Sequence, residues 1–261
     1  MRVTYRARNI KDYWAARWGD IESDLPMTNV EVYPLKYALE TVSGKQGKIL
    51  EAGCGAGRIL RYFHDNGYPI VGIDYIDVAI EKLMVVDPSL DVSVGDITDL
   101  KFPDDSFTSI LSFGLYHNLE NGLEKAIQET YRVLENGGSV CASFRADNIQ
   151  TKIQDWLTLR ATAKTKSSNT KFFHKINLTK KESSALFTAV GFKIKASYPV
   201  ENMPFLYKFR FFRTKSHKVF DESKGRVEGY QLSWLGRRVQ KFLMNFFADY
   251  FCNIYVIVAE K

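Results

Sequence analysis

The sequence predicts a doubly wound α/β fold, and three observations carry that reading. Between residues 48 and 144, short β-branched runs alternate with helical stretches, the pattern of βαβ units around a parallel sheet. Within residues 49–60 (ILEAGCGAGRIL) a strand runs into a helix through a glycine loop. Acidic residues, Asp74 and Asp96, then stand at the ends of the next two strands, the edge at which an open α/β sheet binds its ligands.

Residues 48–53 (KILEAG), 69–74 (PIVGID), 90–96 (LDVSVGD), 106–114 (SFTSILSFG) and 138–144 (GSVCASF) read as core strands one to five. Their short apolar runs suit strands buried on both faces. Three crossover helices lie between them. Residues 58–66 stop at Gly67, residues 78–86 stop before Pro88, and residues 123–134 run out at Gly137 and Gly138. Residues 145–177 are polar and basic, long for a connection within a compact domain. Thr179 and Glu182 then form a capping box that opens a helix closed by Gly191. Residues 192–200 and 253–261 read as two final strands, separated by residues 201–252, far more than a hairpin requires. That stretch holds an aromatic-basic segment, 204–213 (PFLYKFRFFR), and an amphipathic helix with apolar residues from 232 to 250. The expected organisation is N-terminal lid helices (1–47), a core (48–144), a cap insertion (145–178), a core helix and strand (179–200), a second cap insertion (201–252) and a final core strand (253–261).

Composition narrows the function classes. The chain has 261 residues, three Cys and four His, too scattered for a CxxC motif or a zinc-ligand spacing, so no metal is expected. The longest clean apolar run, residues 254–259, is far short of a membrane helix, and residues 1–9 have no signal-peptide character. A cytoplasmic protein follows as the expectation. Charge is divided unevenly: residues 1–150 hold 15 Lys plus Arg against 22 Asp plus Glu, and residues 151–261 hold 21 against 8. The basic half attracts anions, unless it is simply a solvated surface.

The glycine loop allows a sharp bend and close approach of a ligand to the main chain. Its G-x-G-x-G spacing departs from the dinucleotide fingerprint, with Arg58 where a third glycine belongs, and no Lys-Ser or Lys-Thr follows to make a P-loop. Glu51, two residues before the first glycine, suits a cationic group such as an amine. Asp74 stands where a ribose-binding carboxylate belongs, and Asp96-Ile97 offers an acceptor for an exocyclic amine beside an aliphatic purine contact.

In their order, EAGCGAGR, VGIDYIDVAI, VGDITDLKFPDDSF and YRVLENGGSV resemble the class I S-adenosylmethionine-dependent methyltransferases, specifically the type-11 group. The likeness covers residues 48–144, with a weaker match at 179–200. It implies a Rossmann-like sheet of seven strands, the last antiparallel at 253–261, and S-adenosyl-L-methionine as cofactor. It places Glu51, Gly53, Gly55 and Gly57 around the methionine part, Asp74 on the ribose, and Asp96 and Ile97 at the adenine. Cys54, Tyr75 and Ser112 complete the expected cofactor contacts.

The fourth strand's end, Ser112 to His117, faces the methyl group in the resembling family. It lacks the Asp/Asn-Pro-Pro-aromatic signature for base amino groups, and no Pro-Cys pair is present, which counts against nucleic-acid bases. His117 is the candidate general base, with capping or a cofactor contact as its other reading; His174 and His217 are weaker candidates. Tyr116, Trp14, Lys208 and Arg210 are candidate substrate contacts, and Trp14 with Trp18 could close over the cofactor. A small-molecule acceptor under the cap is the leading expectation, with anionic, lipid-linked and sugar-linked molecules suited to basic and aromatic side chains. Peripheral membrane contact through the aromatic-basic segment is a further expectation, and oligomeric state is left open. Two alternatives stand beside this reading: an RNA methyltransferase, and a non-catalytic S-adenosylmethionine-binding regulatory protein.

Overall fold

The computed structural model describes residues 1–6, 9–21, 23, 26–162, 171–214 and 230–261. In chain order the elements are β1 (Arg2–Arg6), α1 (Ile10–Asp20), α2 (Leu35–Val42), β2 (Ile49–Ala52), α3 (Arg58–Asp65), β3 (Ile70–Asp74), α4 (Asp77–Val86) and β4 (Val92–Val94). They continue with β5 (Phe107–Ser112), α5 (Leu123–Val133), β6 (Leu134–Ala146), α6 (Ile149–Thr162), β7 (Phe172–Leu178), α7 (Lys180–Val190), β8 (Lys193–Val200), α8 (Trp234–Phe251) and β9 (Ile254–Glu260).

The core sheet runs β4-β3-β2-β5-β6-β9-β8. Neighbours from β4 to β6 are parallel, and β9 is antiparallel to both β6 and β8. This is the expected sheet of seven strands with an antiparallel last strand. Every residue of β2, β3 and β5 is buried, as helices on both faces of a parallel sheet require. The chain steps outward from β2 to β3 and β4, then returns to β5 on the other side of β2. This leaves a topological switch point between the carboxyl ends of β2 and β5, where such sheets hold ligands. The capping box of α7 forms as read: the Thr179 hydroxyl accepts from the Glu182 main chain, Glu182 accepts from Thr179 N, and Gly191 closes the helix at φ 115°.

Two strands were not expected. β1 and β7 form an antiparallel ribbon from Arg2↔Asn177 to Arg6↔Phe172, with a bulge between Thr4 and Tyr5. The ribbon joins the sheet through parallel pairs Arg145↔Asn177 and Ala146↔Leu178, at the carboxyl end of β6. So 1–47 is a strand plus helices rather than lid helices alone, and 145–178 ends in a sheet strand rather than being wholly a cap. The physical reason is that β1 and β7 stabilise each other by direct pairing between segments far apart in the chain. Neither carries a local turn signal that would announce the pairing.

The two insertions share one small core. Phe205, Leu206, Tyr207 and Leu232 are buried together, with Ile153 of α6 and Val239, Leu243 and Phe251 of α8 packed against them. Residues 204–213 are two short 3-10 turns whose first apolar residues roof this core. Arg213 is structural there, donating to the Tyr207 carbonyl at 2.6 Å and lying over the Tyr207 ring at 4.5 Å.

The carboxyl end of α1 is fastened to α4. The Lys82 ammonium on α4 donates to the carbonyls of Trp18, Gly19 and Ile21 at 3.0, 2.9 and 2.6 Å, satisfying the carboxyl end of the helix. Lys82→Met should weaken its docking by about 1.5–3 kcal/mol, the range for a hydrogen bond to a charged group. Tryptic cleavage at Arg17 should accelerate tenfold or more while the rest of the chain stays resistant. An unchanged cleavage rate would show that α1 is held by other contacts.

Candidate active site

The carboxyl ends of β2 to β5 assemble a crevice from the expected residues. After β2 the chain turns through Gly53, Gly55 and Gly57 at φ 77°, 54° and 71°, a left-handed region that side chains resist. The bare main chain is also closely covered. A Cβ on Gly53 would lie 3.1 Å from Leu115 Cβ, and one on Gly55 2.6 Å from Trp18 Cζ2. The loop is thus bounded by the segment after β5 on one side and by α1 on the other. Trp18 stacks on Trp14, with centroids 5.2 Å apart, so both indoles stand at the crevice mouth.

Glu51 is 4% exposed and its Oε2 has no hydrogen-bond partner among the described residues. Burial pushes its pKa up to about 8, against a hydrogen bond from the Leu60 main chain, with the Asp74 charge adding to the rise. Asp74, at the end of β3, accepts from Gly55 N at 2.8 Å and from Ile76 N at 2.9 Å. Burial raises its pKa while those bonds oppose the rise. One acceptor site is used on each oxygen, leaving further lone pairs for hydroxyl donors. Asp96 is exposed and holds the Thr98 main chain and hydroxyl through Oδ1, each at 2.8 Å. Ile97 is 4% exposed.

Other expected contacts land differently. The Cys54 thiol is buried in the core beside Gly72, so Cys54 can meet a ligand only through its main chain. Ser112 is fully buried within β5. Tyr75 is 55% exposed with the Lys11 ammonium 5.1 Å from its ring centroid, a rim position. Tyr116 as a substrate contact is corrected: it is fully buried, stacked on Phe144, and its phenol bonds to Thr130 Oγ1 at 2.6 Å. Arg210 and Lys208 are exposed, Lys208 at the rim near Arg145 and Arg210 on the outer surface. His217 lies outside the described residues.

His117 sits in the 3-10 turn Tyr116–Asn118 after β5, held by the Asn118 side chain donating to the Gly114 carbonyl. It is 9% exposed, and Nδ1 has no hydrogen-bond partner among the described residues. Burial, then the charges of Arg145 and Lys175, hold its pKa well below the ordinary value, so the ring is neutral at pH 7. Around it the sequence reading missed two cations, Arg145 and Lys175. Arg145 is the penultimate residue of β6, and His174 and Lys175 lie at the bulge of β7, which packs against the His117 turn. Burial and then Arg145 bring Lys175 down to about 8, while burial and then Lys175 bring His174 to about 4. Asp155 offsets this charge only in part, because Arg2 Nη1 holds its Oδ2 at 2.5 Å. Charged side chains inside the apolar alternation KFFHKINL were the available signal.

Fold and crevice together define a doubly wound α/β protein with buried carboxylates and a glycine loop at the carboxyl ends of its strands. A family model described as a methyltransferase domain matches residues 50–142. A probable S-adenosylmethionine-dependent methyltransferase of Mycolicibacterium smegmatis is 29% identical over 34% of this chain and 35% of its own length. A demethylmenaquinone methyltransferase of Paenarthrobacter aurescens is 34% identical over 37% of this chain and 38% of its own. The similarity therefore spans little more than a third of either relative. A solved S-adenosylmethionine-dependent methyltransferase from Methanosarcina mazei matches in fold with TM-score 0.59 at 18% identity, over 88% of this chain and 98% of that one. Its core, residues 50–142, is thus similar to the methyltransferase domain of the type-11 group of class I S-adenosylmethionine-dependent methyltransferases.

The residues present fit that family's cofactor. The unpartnered Glu51 oxygen can accept from an amine, and Asp74 keeps acceptor capacity for ribose hydroxyls.

Proposed function

We propose that the chain transfers a methyl group from S-adenosylmethionine to a small-molecule acceptor that carries an anionic group. The observation that carries this reading is the gathering of the cations Arg145 and Lys175 beside His117, on the same sheet edge as the glycine loop. Bound S-adenosylmethionine supplies an electrophilic sulfonium methyl. Glu51, the glycine loop, Asp74, Asp96 and Ile97 hold and orient the cofactor, and Trp14 and Trp18 exclude water from the crevice. The cationic group holds the acceptor's anion, which fixes the distance to the methyl and converts a bimolecular step into a positioned one. His117 Nδ1, neutral and unpartnered, takes the proton that an acceptor hydroxyl must lose. Likeness to a demethylmenaquinone methyltransferase supports a small acceptor, and the basic, aromatic cap also suits one linked to a lipid or sugar.

Calorimetry should show S-adenosylmethionine binding and no NAD binding. Radiolabelled methyl should then pass to members of a panel of hydroxylated carboxylates and phosphates, with little transfer to total RNA. Lys175→Met should lower turnover at least tenfold and leave cofactor affinity within about twofold, since binding energy for the acceptor and for the cofactor comes from different residues. Equal turnover by Lys175→Met would remove the anion from the reading. Steeply salt-dependent transfer to RNA would replace it with the nucleic-acid alternative.

A further inference from the structure

α8 is apolar on two faces. One face closes the cap core through Val239, Leu243 and Phe251. The other leaves Trp234, Leu235, Phe242, Phe246, Phe247 and Tyr250 between 44% and 69% exposed. Phe242 and Phe246 lie about one turn apart on the same side of the helix, with ring centroids 5.0 Å apart, and the backbone departs from helical geometry at Phe247 (φ -136°, ψ 32°). Nearby Phe211 is 78% exposed.

The helix is fixed in this orientation. Ser233 caps it, and Ser233 N donates to the Phe212 carbonyl at 2.8 Å. A Cβ on Gly236 would lie 2.7 Å from that same carbonyl. The close approach prevents the helix from rolling to bury its exposed aromatic residues.

Charge selects the occupant. Arg237, Arg238 and Lys241 are exposed on the first half of α8, and Arg238 lies 4.3 Å over the Trp234 ring. The one acid of the helix, Asp249, is 3.5 Å from Lys180. A two-fold contact between copies sets a patch against itself and would bring these three cations against their own counterparts. An anionic lipid surface meets both features: cations pair with headgroups while Trp, Tyr and Phe enter the interfacial layer. No helix among the described residues is long and apolar enough to cross a membrane, so the contact lies in the plane of the surface.

We infer that the exposed face of α8, with Phe211 beside it, docks the protein on an anionic membrane surface. The full chain should co-sediment with phosphatidylcholine–phosphatidylglycerol vesicles and not with phosphatidylcholine alone, and salt should weaken the binding. Phe242→Ser with Phe246→Ser should lower vesicle partitioning at least tenfold, and so should joint replacement of Arg237, Arg238 and Lys241 by Gln. These positions are exposed, so melting temperature and S-adenosylmethionine affinity should hold in both variants, which separates this inference from the methyltransferase reading. Equal partitioning by either variant, or equal binding to neutral vesicles, would overturn it. So would a dimer in sedimentation velocity that Phe242→Ser with Phe246→Ser dissociates, because the occupant would then be a second copy.

Discussion

Glu51→Gln is expected to stabilise the cofactor-free protein at pH 8 while weakening S-adenosylmethionine binding at least tenfold. The carboxyl is buried with one oxygen unpartnered, and burial holds its pKa near 8 in the folded state against an ordinary 4.5. Below pH 4.5 it is protonated folded or unfolded, and its contribution to stability is fully present. As pH rises from 4.5 towards 8, the unfolded chain gives up the proton and the folded chain keeps it. Stability is lost across that window, on the order of 3–5 kcal/mol at about 1.4 kcal/mol per unit. The neutral amide has no such slope. Melting temperatures of the cofactor-free wild type should therefore fall between pH 5 and pH 8 more steeply than those of Glu51→Gln. Parallel curves would show that Glu51 is ionised and satisfied without a ligand. With S-adenosylmethionine present the ranking should reverse, because a cationic amine beside Glu51 favours its ionised form.

Asp74→Ala is expected to lose on two counts. Two buried main-chain donors, Gly55 N and Ile76 N, would be left without their carboxylate acceptor, at about 1–3 kcal/mol each. The ribose would lose a charged acceptor, a further loss of about 1.5–3 kcal/mol, so affinity should fall roughly ten- to hundredfold. Asp74→Asn separates the two, because its amide oxygen can still accept from one donor. It should fold better than Asp74→Ala yet bind the cofactor more weakly than wild type. Calorimetry with the demethylated product, alongside thermal melting, reads both. A dissociation constant unchanged in Asp74→Ala would place the ribose elsewhere.

Legibility in the sequence followed the range of the interactions. The glycine loop, the Thr179–Glu182 cap and the strand end at Asp74 are set by neighbours a few residues away and stand where the pattern put them, whereas β4 ends at Val94, two residues before Asp96. β1 and β7 were not readable, because their partners lie some 170 residues apart and the polar stretch before β7 masked its alternation. Tyr116 shows the limit at single residues. An aromatic ring with a hydroxyl reads equally well as a contact or as packing, and only the Phe144 stack and the Thr130 bond decide for packing. The cationic group around His117 was hidden in the same way, since Arg145 and Lys175 come together only once the ribbon joins β6.

The β1–β7 ribbon also sets an order of assembly during synthesis. Residues 49–112 supply β2 to β5 and the glycine loop in one stretch, whereas β1 must wait for residues 172–178. At 5–20 residues per second that delay is roughly ten to thirty seconds. For that time β1 is an unpaired edge beside a growing sheet, the kind of element that recruits a wrong partner chain. Its sequence, RVTYR, carries an arginine at each end, and such charges discourage mispairing. Once β7 arrives the same side chains find their places, Arg2 on Asp147 and Asp155, and Arg6 over the Tyr13 ring. The Arg145–Lys175 side of the crevice is therefore completed only after the glycine loop and the strand ends beside it have been synthesised.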